Sequence, residues 1–552
     1  MTAFWIIIGY LAVLILLGIA SNRVFRGTAV DYFLASRGVG GFMLLMSLFG
    51  TTMTAFAMVG SSGESFESGI GVYGMMASWS GIIHSLVFFL IGVKLWSFGK
   101  RYGYMTQIQF FRDRLESKRI GLVLFPVLVG MMIPYLLVGI IGLGNAMSGA
   151  TTGAFPKAFA ASNGAVPPWL GMGIVCAVVL LYVFVGGVRS TLWVNAFQNA
   201  LFMTVGVVAL IVIANRLGGP ASATKMVAER YPTMLKREFD PKDEPRLQAR
   251  VAAYEKKLTE WEQGGRQGDK PRDVKPPGIG KLQFLTYAFI PFSVAMFPHL
   301  FQYYLTAKSA KSFRLSVIMH PVCILVIWLP CVILGVWATS AVLDGNPVIP
   351  PTFTNTNAVL AKLVKDLTGP ILGGLTAAGI LATNSLDAQF LCLGSMFTND
   401  IVAHHYGQRR FSDRQLVLLG RVFVVGVVVA SYLLALARPR GVFELGVWCF
   451  AGYASLAPLV IGALYWPRMT KAGAYASILA TALAWGWLFR ASDYGGDEHF
   501  LVWGMMPVAV IIAVGTAALV LVSLTTSPPS ARTIAKFFGR HGAQIRAQAR
   551  GQ

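Results

Sequence analysis

The sequence predicts an all-α membrane protein with about thirteen membrane-spanning helices. Three observations predict it: the 552 residues are 55% hydrophobic and 13% charged, the apolar residues run in long blocks, and the basic residues are divided among short loops between those blocks. A soluble helix needs one apolar stripe, whereas runs of about eighteen apolar residues suit a hydrocarbon layer. The formal charge of +22 therefore reflects positive-inside topology and argues against a nucleic-acid partner, which would need the charge gathered in one patch.

The first run, Phe4 to Ala20, has no basic residue before it and Arg23 and Arg26 after it. A cleaved signal has the opposite charge order, so a retained helix with its N-terminus outside is expected. Further spans are expected near 40–60, 70–97, 119–148, 169–187, 192–216, 281–304, 314–342, 370–396, 417–437, 443–465, 473–490 and 501–523. With that start, Arg37, Lys100, Arg101, Arg112, Arg189, Lys308, Arg409 and Arg468 all fall in cytoplasmic loops, as they should in an inner (plasma) membrane protein with a cytoplasmic C-terminus. The transmembrane domain covers 1–525, and 526–552 is a basic cytoplasmic tail. A polar insert, 218–281, lies outside between the sixth and seventh helices. Within it Pro245 to Gln263 reads as a charged helix and RQGDKPRDVKPPGIG as a linker; a lid, a docking surface and a tolerated insertion all fit. The five cysteines, Cys176, Cys323, Cys331, Cys392 and Cys449, sit in apolar runs without metal-ligand spacing and read as packed small hydrophobes.

Lipid offers no partner to a freed backbone group, so a span that breaks or carries small polar residues at its middle lines a site. Met46 to Gly71, MSLFGTTMTAFAMVGSSGESFESGIG, is one such span. Unwinding around Gly50 to Thr54 would free carbonyls for a cation; a packing face of small residues is the other reading. Ala377 to Phe397 is the second, with Thr383, Asn384, Ser385, Asp387 and Gln389 clustered mid-span, where Asp387 needs a partner, water or an ion. Tyr182 to Met203 is the third, a glycine-hinged turn followed by Asn195 and Gln198 on one helix face.

These residues also carry a resemblance. DYFLASRGVGGFMLLMSLFGTTMTAFAMVGSSG, GGVRSTLWVNAFQ, TNSLDAQFL and WCFAGYASLAPLVIGALYWPRMTKAGA stand in the order and spacing of motifs of the sodium:solute symporter family, which the chain resembles from residue 4 to about 525 outside the insert. The resemblance implies a core of two inverted five-helix repeats and import of a small organic solute driven by co-transported Na+. It implies sodium ligands at the carbonyls of Gly50, Met53 and Leu381 and the side chains of Asn384 and Ser385. Oxygen-only ligands suit a hard monovalent cation. Where relatives have serine before threonine this chain has Asn384 before Ser385, and where they have an aspartate it has Asn195, which argues against a second sodium.

Asp387 and Asn195 are candidate coupling residues, Asp387 as a cation ligand or a proton carrier. Met75 and Met76 stand where sugar-transporting relatives have tyrosine and glutamate, so a sugar is disfavoured. Thr54, Phe66, His299 and Gln302 are candidate substrate or gate residues, and Glu64 and Glu67 read equally as gate or loop acids. A proton-coupled or uncoupled facilitator and a transporter-like sensor are the rival functions. No nucleophile and base constellation points to an enzyme.

Overall fold

The computed structural model describes residues 2–22, 28–238, 245–264, 278–353, 355–383, 385–407, 410–437, 442–497 and 500–539. Arg23, Arg26, Asn384, Arg409, most of the insert's linker and the end of the tail lie outside the described residues.

All thirteen expected spans are helical in whole or part, yet among the described residues nine helices are long and apolar enough to cross a membrane, or eleven if two bent pairs each count once. The difference has a local cause. Pro168–Phe184 is a shorter apolar helix, cut off from the next by Gly187, whose φ of +57° breaks the run. The 370–396 region is two helices, Pro370–Ala382 and Leu386–Met396, each short of a full span. Gly187 cannot be replaced without collision, because a Cβ there would meet Tyr32 at 2.7 Å.

The two bent pairs are Gly41–Thr52 with Phe56–Ser68, angled by 55°, and Lys281–Ala295 with Pro298–Thr306, angled by 52°. The second bend follows from Pro298, which occupies the first helical position and holds Phe297 extended (φ −55°, ψ 122°). The outer layer is lipid-like: only 28% of the apolar window of Pro507–Thr525 is buried, against 89% for Val442–Tyr465 at the centre.

The two halves of the Met46–Gly71 segment differ. The chain breaks after Thr52, whereas Ser61–Ser68 is a packing face. There Ser61, Ser62 and Ser65 return their hydroxyls to their own helix, and Gly335 of the Ser312–Ala338 helix approaches so closely that a Cβ would lie 2.3 Å from the Ser62 carbonyl.

The insert and the tail sit at opposite ends of the bundle. Tyr73–Tyr102, thirty residues and so about 45 Å long, starts beside the insert, where Ile70 N–H donates to Met234 (2.8 Å). It ends beside the tail, where the Tyr102 hydroxyl donates to the Lys536 carbonyl (2.9 Å). The tail is more than a polar extension: residues 531–539 are helical, Ile534 and Phe537 are buried, and Phe537 packs on Phe98, Tyr102 and Phe110.

Candidate functional site: two helix breaks and the cavity beside them

The first break begins at Met53, whose φ of −98° and ψ of 82° end the Gly41–Thr52 helix. The last turn of a helix has carbonyls without intrahelical partners. Here Phe49 accepts from Met53 N–H (2.9 Å) and Thr51 accepts from the Tyr135 hydroxyl (2.9 Å). Gly50 is pressed against Asn199, with space for a hydrogen only: a Cβ would stand 2.5 Å from Oδ1. Asn199 in turn donates to the Met46 carbonyl (2.5 Å).

The second break follows Leu381 and Ala382. Thr383 leaves helical geometry (ψ 40°) and its hydroxyl back-bonds to Ile380 (2.6 Å); the chain resumes a helix at Leu386. Ser385 Oγ accepts from Gln389 Nε2 (2.6 Å). Gly50, Met53, Leu381 and Ser385 are all buried, while Asn384, the remaining expected ligand, lies outside the described residues.

One hydroxyl lies near both breaks. Tyr135, on the Ile120–Thr151 helix, donates to Thr51 and lies within interaction range of the Thr54 and Ser385 hydroxyls. The helix Gly187–Arg216 lies against both broken helices, with Asn199 on Gly50 and Val205 and Phe202 on Gly379.

Beside the first break is a small cavity of about 20 Å³, room for about one water. Thr52, Met53 and Phe56 form one wall; Ser80 and His84, Tyr135, Tyr287 to Phe297, Trp328 and Phe450 form the others. Its lining, among the described residues, contains no Asp, Glu, Lys or Arg. Met75 and Met76 are buried and do not line it.

The profile of the sodium:solute symporter family matches residues 32–481. The chain belongs to this family. The symporter is thus a sodium-coupled secondary transporter of a small organic solute, and not an enzyme. A sodium/proline symporter of Haemophilus influenzae is 23% identical over 534 residues, covering 94% of each chain. That of Escherichia coli is 24% identical over 480 residues, 83% of each, and the osmoregulated proline transporter of Bacillus subtilis is 23% identical over 472 residues, 82% of this chain and 83% of its own. The solved structure of a Na+-coupled sialic acid symporter, substrate-bound and outward-open, matches with a TM-score of 0.70 at 16% identity, covering 96% of this chain and 99% of that one. Inward-facing Mhp1 matches at 0.50 and 13% identity over 90% and 94%. These likenesses show a shared all-α, multi-span fold.

Two residues past Ser385 the symporter buries Asp387. Its Oδ1 accepts from Ala388 N–H (2.8 Å), and its Oδ2 has no hydrogen bond. The hydroxyls of Tyr10, Tyr182 and Tyr303 lie within its electrostatic reach. Asn195 donates to Tyr303 (3.2 Å), as Gln198 does to Tyr10 (2.8 Å), so the two candidate coupling residues share one polar cluster.

The substrate and gate candidates separate. Thr54 stays at the first break, its Oγ1 accepting from Phe56 N–H (3.3 Å). His299 is buried between Phe297 and Tyr135, ring centroids 5.0 and 5.9 Å away, with neither ring nitrogen hydrogen-bonded. Gln302 donates to the Phe33 carbonyl (2.6 Å), bracing the approach to the first broken helix. Neither His299 nor Gln302 lines the cavity.

Phe66 and Glu67 belong to a clamp made by the insert. Arg246 donates to the Phe66 carbonyl (2.9 Å) and lies over the Phe66 and Tyr231 rings, 5.1 and 5.2 Å from their centroids. Arg250 pairs with Glu67, both side chains buried. Glu64 accepts from the Ser68 hydroxyl (2.9 Å).

Ser80, His84, Trp328 and Phe450 as cavity walls, and Asn199 against Gly50, were not among the sequence candidates. Asn199 carried a signal, since Asn195 and Asn199 are polar residues four apart on a spanning helix. The cavity walls carried none, because an aromatic or serine in a span is most often packing.

Proposed function

We propose that the symporter binds one sodium ion between the two breaks, through the carbonyls of Gly50, Met53 and Leu381 and the side chains of Asn384 and Ser385, and imports a small organic solute by movements of the two broken helices that widen the adjoining cavity. The observation that carries this reading is the Tyr135 hydroxyl, bonded to the Thr51 carbonyl and in range of Thr54 and Ser385. Residues from the two breaks therefore converge around one group, where an ion bridging them would change how both halves sit. Helix ends with freed carbonyls form cation sites at the membrane midplane in such architectures. One positive charge entering down a 100 mV potential supplies about 2.3 kcal/mol, or about fifty-fold in solute ratio.

The core is two inverted repeats of five helices, and the symporter sits in the plasma membrane with its N-terminus and insert outside and its tail in the cytoplasm. The parcelling of basic residues supports this orientation, as does the placement of insert and tail at opposite ends. The insert clamps Phe56–Ser68, the outer half of the first broken helix, and so sets how readily that half swings away from the cavity. Asp387 and Asn195 couple ion binding to movement of the second broken helix.

The test is uptake into proteoliposomes containing the full chain, with sodium, proton or no gradient imposed. Accumulation driven by sodium is expected. Equilibration that ignores every gradient would make the protein a facilitator. Proton coupling is the second reading, favoured by the unpaired Oδ2 of Asp387, and accumulation driven by a proton gradient alone would select it.

A further inference from the structure

We infer that the symporter carries a site for an anionic phospholipid near the end of the bundle that holds the tail, where Arg421 and Arg414 receive the phosphate and two helices cradle the acyl chain. This goes beyond transport and does not rest on the sodium site.

Arg421 carries the argument. It sits in the spanning helix Asp413–Ala437, only 33% of whose apolar window is buried, so this helix is largely turned to lipid. An arginine there is costly unless it meets an anion, a polar cavity or the interface. Among the described residues no carboxylate pairs with it. Asp31, next in the chain to Tyr32, is engaged by Arg189 (2.7 Å) and Ser36 (2.6 Å). The Arg421 guanidinium lies instead over the Phe184 and Tyr32 rings, 4.4 and 5.3 Å from their centroids. Ring faces attract the cation but accept nothing from the N–H groups at its edge, and its Nε–H has no acceptor. The Tyr32 hydroxyl is in range, yet one oxygen leaves most of the guanidinium donors unmatched.

The surroundings name the anion. Leu181 and Phe184 of Pro168–Phe184 and Leu418 and Val425 of Asp413–Ala437 are 39–54% exposed, so the groove around Arg421 opens to lipid, with Val183 and Leu391 on its floor. Arg414, exposed, stands two turns earlier on the same helix face, about 10 Å nearer the helix start. Arg414, Leu418, Arg421 and Val425 thus form one stripe of alternating charge and hydrocarbon. Tyr32 fixes the depth: five residues on, Arg37 donates to the Gly99 carbonyl (2.7 Å), in the last turn of Tyr73–Tyr102 beside the tail. Lipid phosphates lie at that level, and a phosphodiester suits guanidinium forks. A zwitterionic lipid would bring its own cation towards Arg414, so a net negative headgroup fits better. The site also bears on a hinge, since Tyr32 packs against Gly187. A lipid that holds Arg421 over Tyr32 braces that hinge.

The experiment counts lipids retained by the full chain in detergent, by native mass spectrometry. Phosphatidylglycerol and phosphatidylcholine with identical acyl chains are supplied in equal amounts, and inorganic phosphate is the free-anion control. Phosphatidylglycerol is expected to bind about tenfold more tightly. Arg421→Gln should erase that preference, and Arg421→Lys should restore part of it by returning the charge without the fork. Arg414→Glu, at an exposed position, should lower the preference several-fold and decides the matter if Arg421→Gln fails to fold. Equal retention of the two lipids, or a preference unchanged by these substitutions, overturns the inference. Displacement of phosphatidylglycerol by millimolar inorganic phosphate makes this a free-anion site and overturns the lipid assignment. All of these outcomes leave sodium-driven uptake to be decided separately by the gradient test above.

Discussion

Arg250→Ala tests whether the insert governs the Phe56–Ser68 half of the first broken helix. The Arg250 and Glu67 side chains are 8% and 5% exposed, so the value for a surface ion pair, about 0–1 kcal/mol, does not apply. Removing one partner of a buried pair costs about 3–5 kcal/mol because the other charge is left uncompensated. The neighbouring residues of Pro245–Gln263 are largely exposed, so water can reach Glu67 once Arg250 is trimmed, and the lower figure, about 3 kcal/mol, is the better expectation. If the clamp exists only while the Phe56–Ser68 half is closed, that loss shifts the closed-to-open balance by about 150-fold. Ser68→Cys provides the reporter, since Ser68 is buried under the clamp and the five native cysteines are buried as well. Labelling by a membrane-impermeant maleimide should accelerate tens of times or more in Arg250→Ala. It should return towards the parent rate when the charges are exchanged in Arg250→Glu with Glu67→Arg. A rate in Arg250→Ala equal to the parent would refute the clamp and reduce the insert to a decoration.

Three further outcomes are expected. Ser385→Ala removes a proposed sodium ligand and strands Gln389, which donates to it; sodium half-saturation should rise about tenfold while stability falls by only about 1 kcal/mol, and unchanged sodium activation in uptake assays would count against the site. Asp387→Asn keeps an acceptor for Ala388 N–H but removes the charge, so solute counterflow should persist while gradient-driven accumulation is lost; full accumulation would give Asp387 a structural role only. At the end of the bundle that holds the tail, burial pushes the Glu116 carboxyl up, but hydrogen bonds from Ser530 and Thr533, with Arg114 nearby, outweigh it and hold it below the usual carboxylate range. A depressed value means that this contribution to tail docking is complete above about pH 4.3 and is lost as the pH falls below it. Limited proteolysis between Thr525 and Phe538 should therefore be slow at neutral pH and faster in acid, and Glu116→Gln should cleave rapidly already at pH 7.

The helix breaks were legible because they are local. Gly50 followed by Thr51, Thr52 and Thr54, or Thr383 and Ser385 beside Asp387, interrupts an apolar run in a way that needs no partner to recognise, and Gly187 announces a hinge by permitting a positive φ. The span count was less legible. Length and hydropathy average over a break, so Pro370–Ala382 and Leu386–Met396 read as one continuous span and Pro168–Phe184 as a full one. His299 and Gln302 looked equivalent as polar residues on one expected span. The fold separates them, holding Gln302 on the Phe33 carbonyl and leaving His299 among aromatic rings.

The sequence by itself determined the membrane class, the positions of the two principal breaks and the family, since hydropathy, charge parcelling and ordered motifs are properties of consecutive residues. Only the tertiary structure decided which side chains enclose the cavity, because Thr52, His84, Tyr135, Trp328 and Phe450 come from five helices and meet only when these pack. The same holds for the clamp: Arg250 and Glu67 are 183 residues apart, and opposite charges at that separation carry no mark of pairing until the fold removes both from water together.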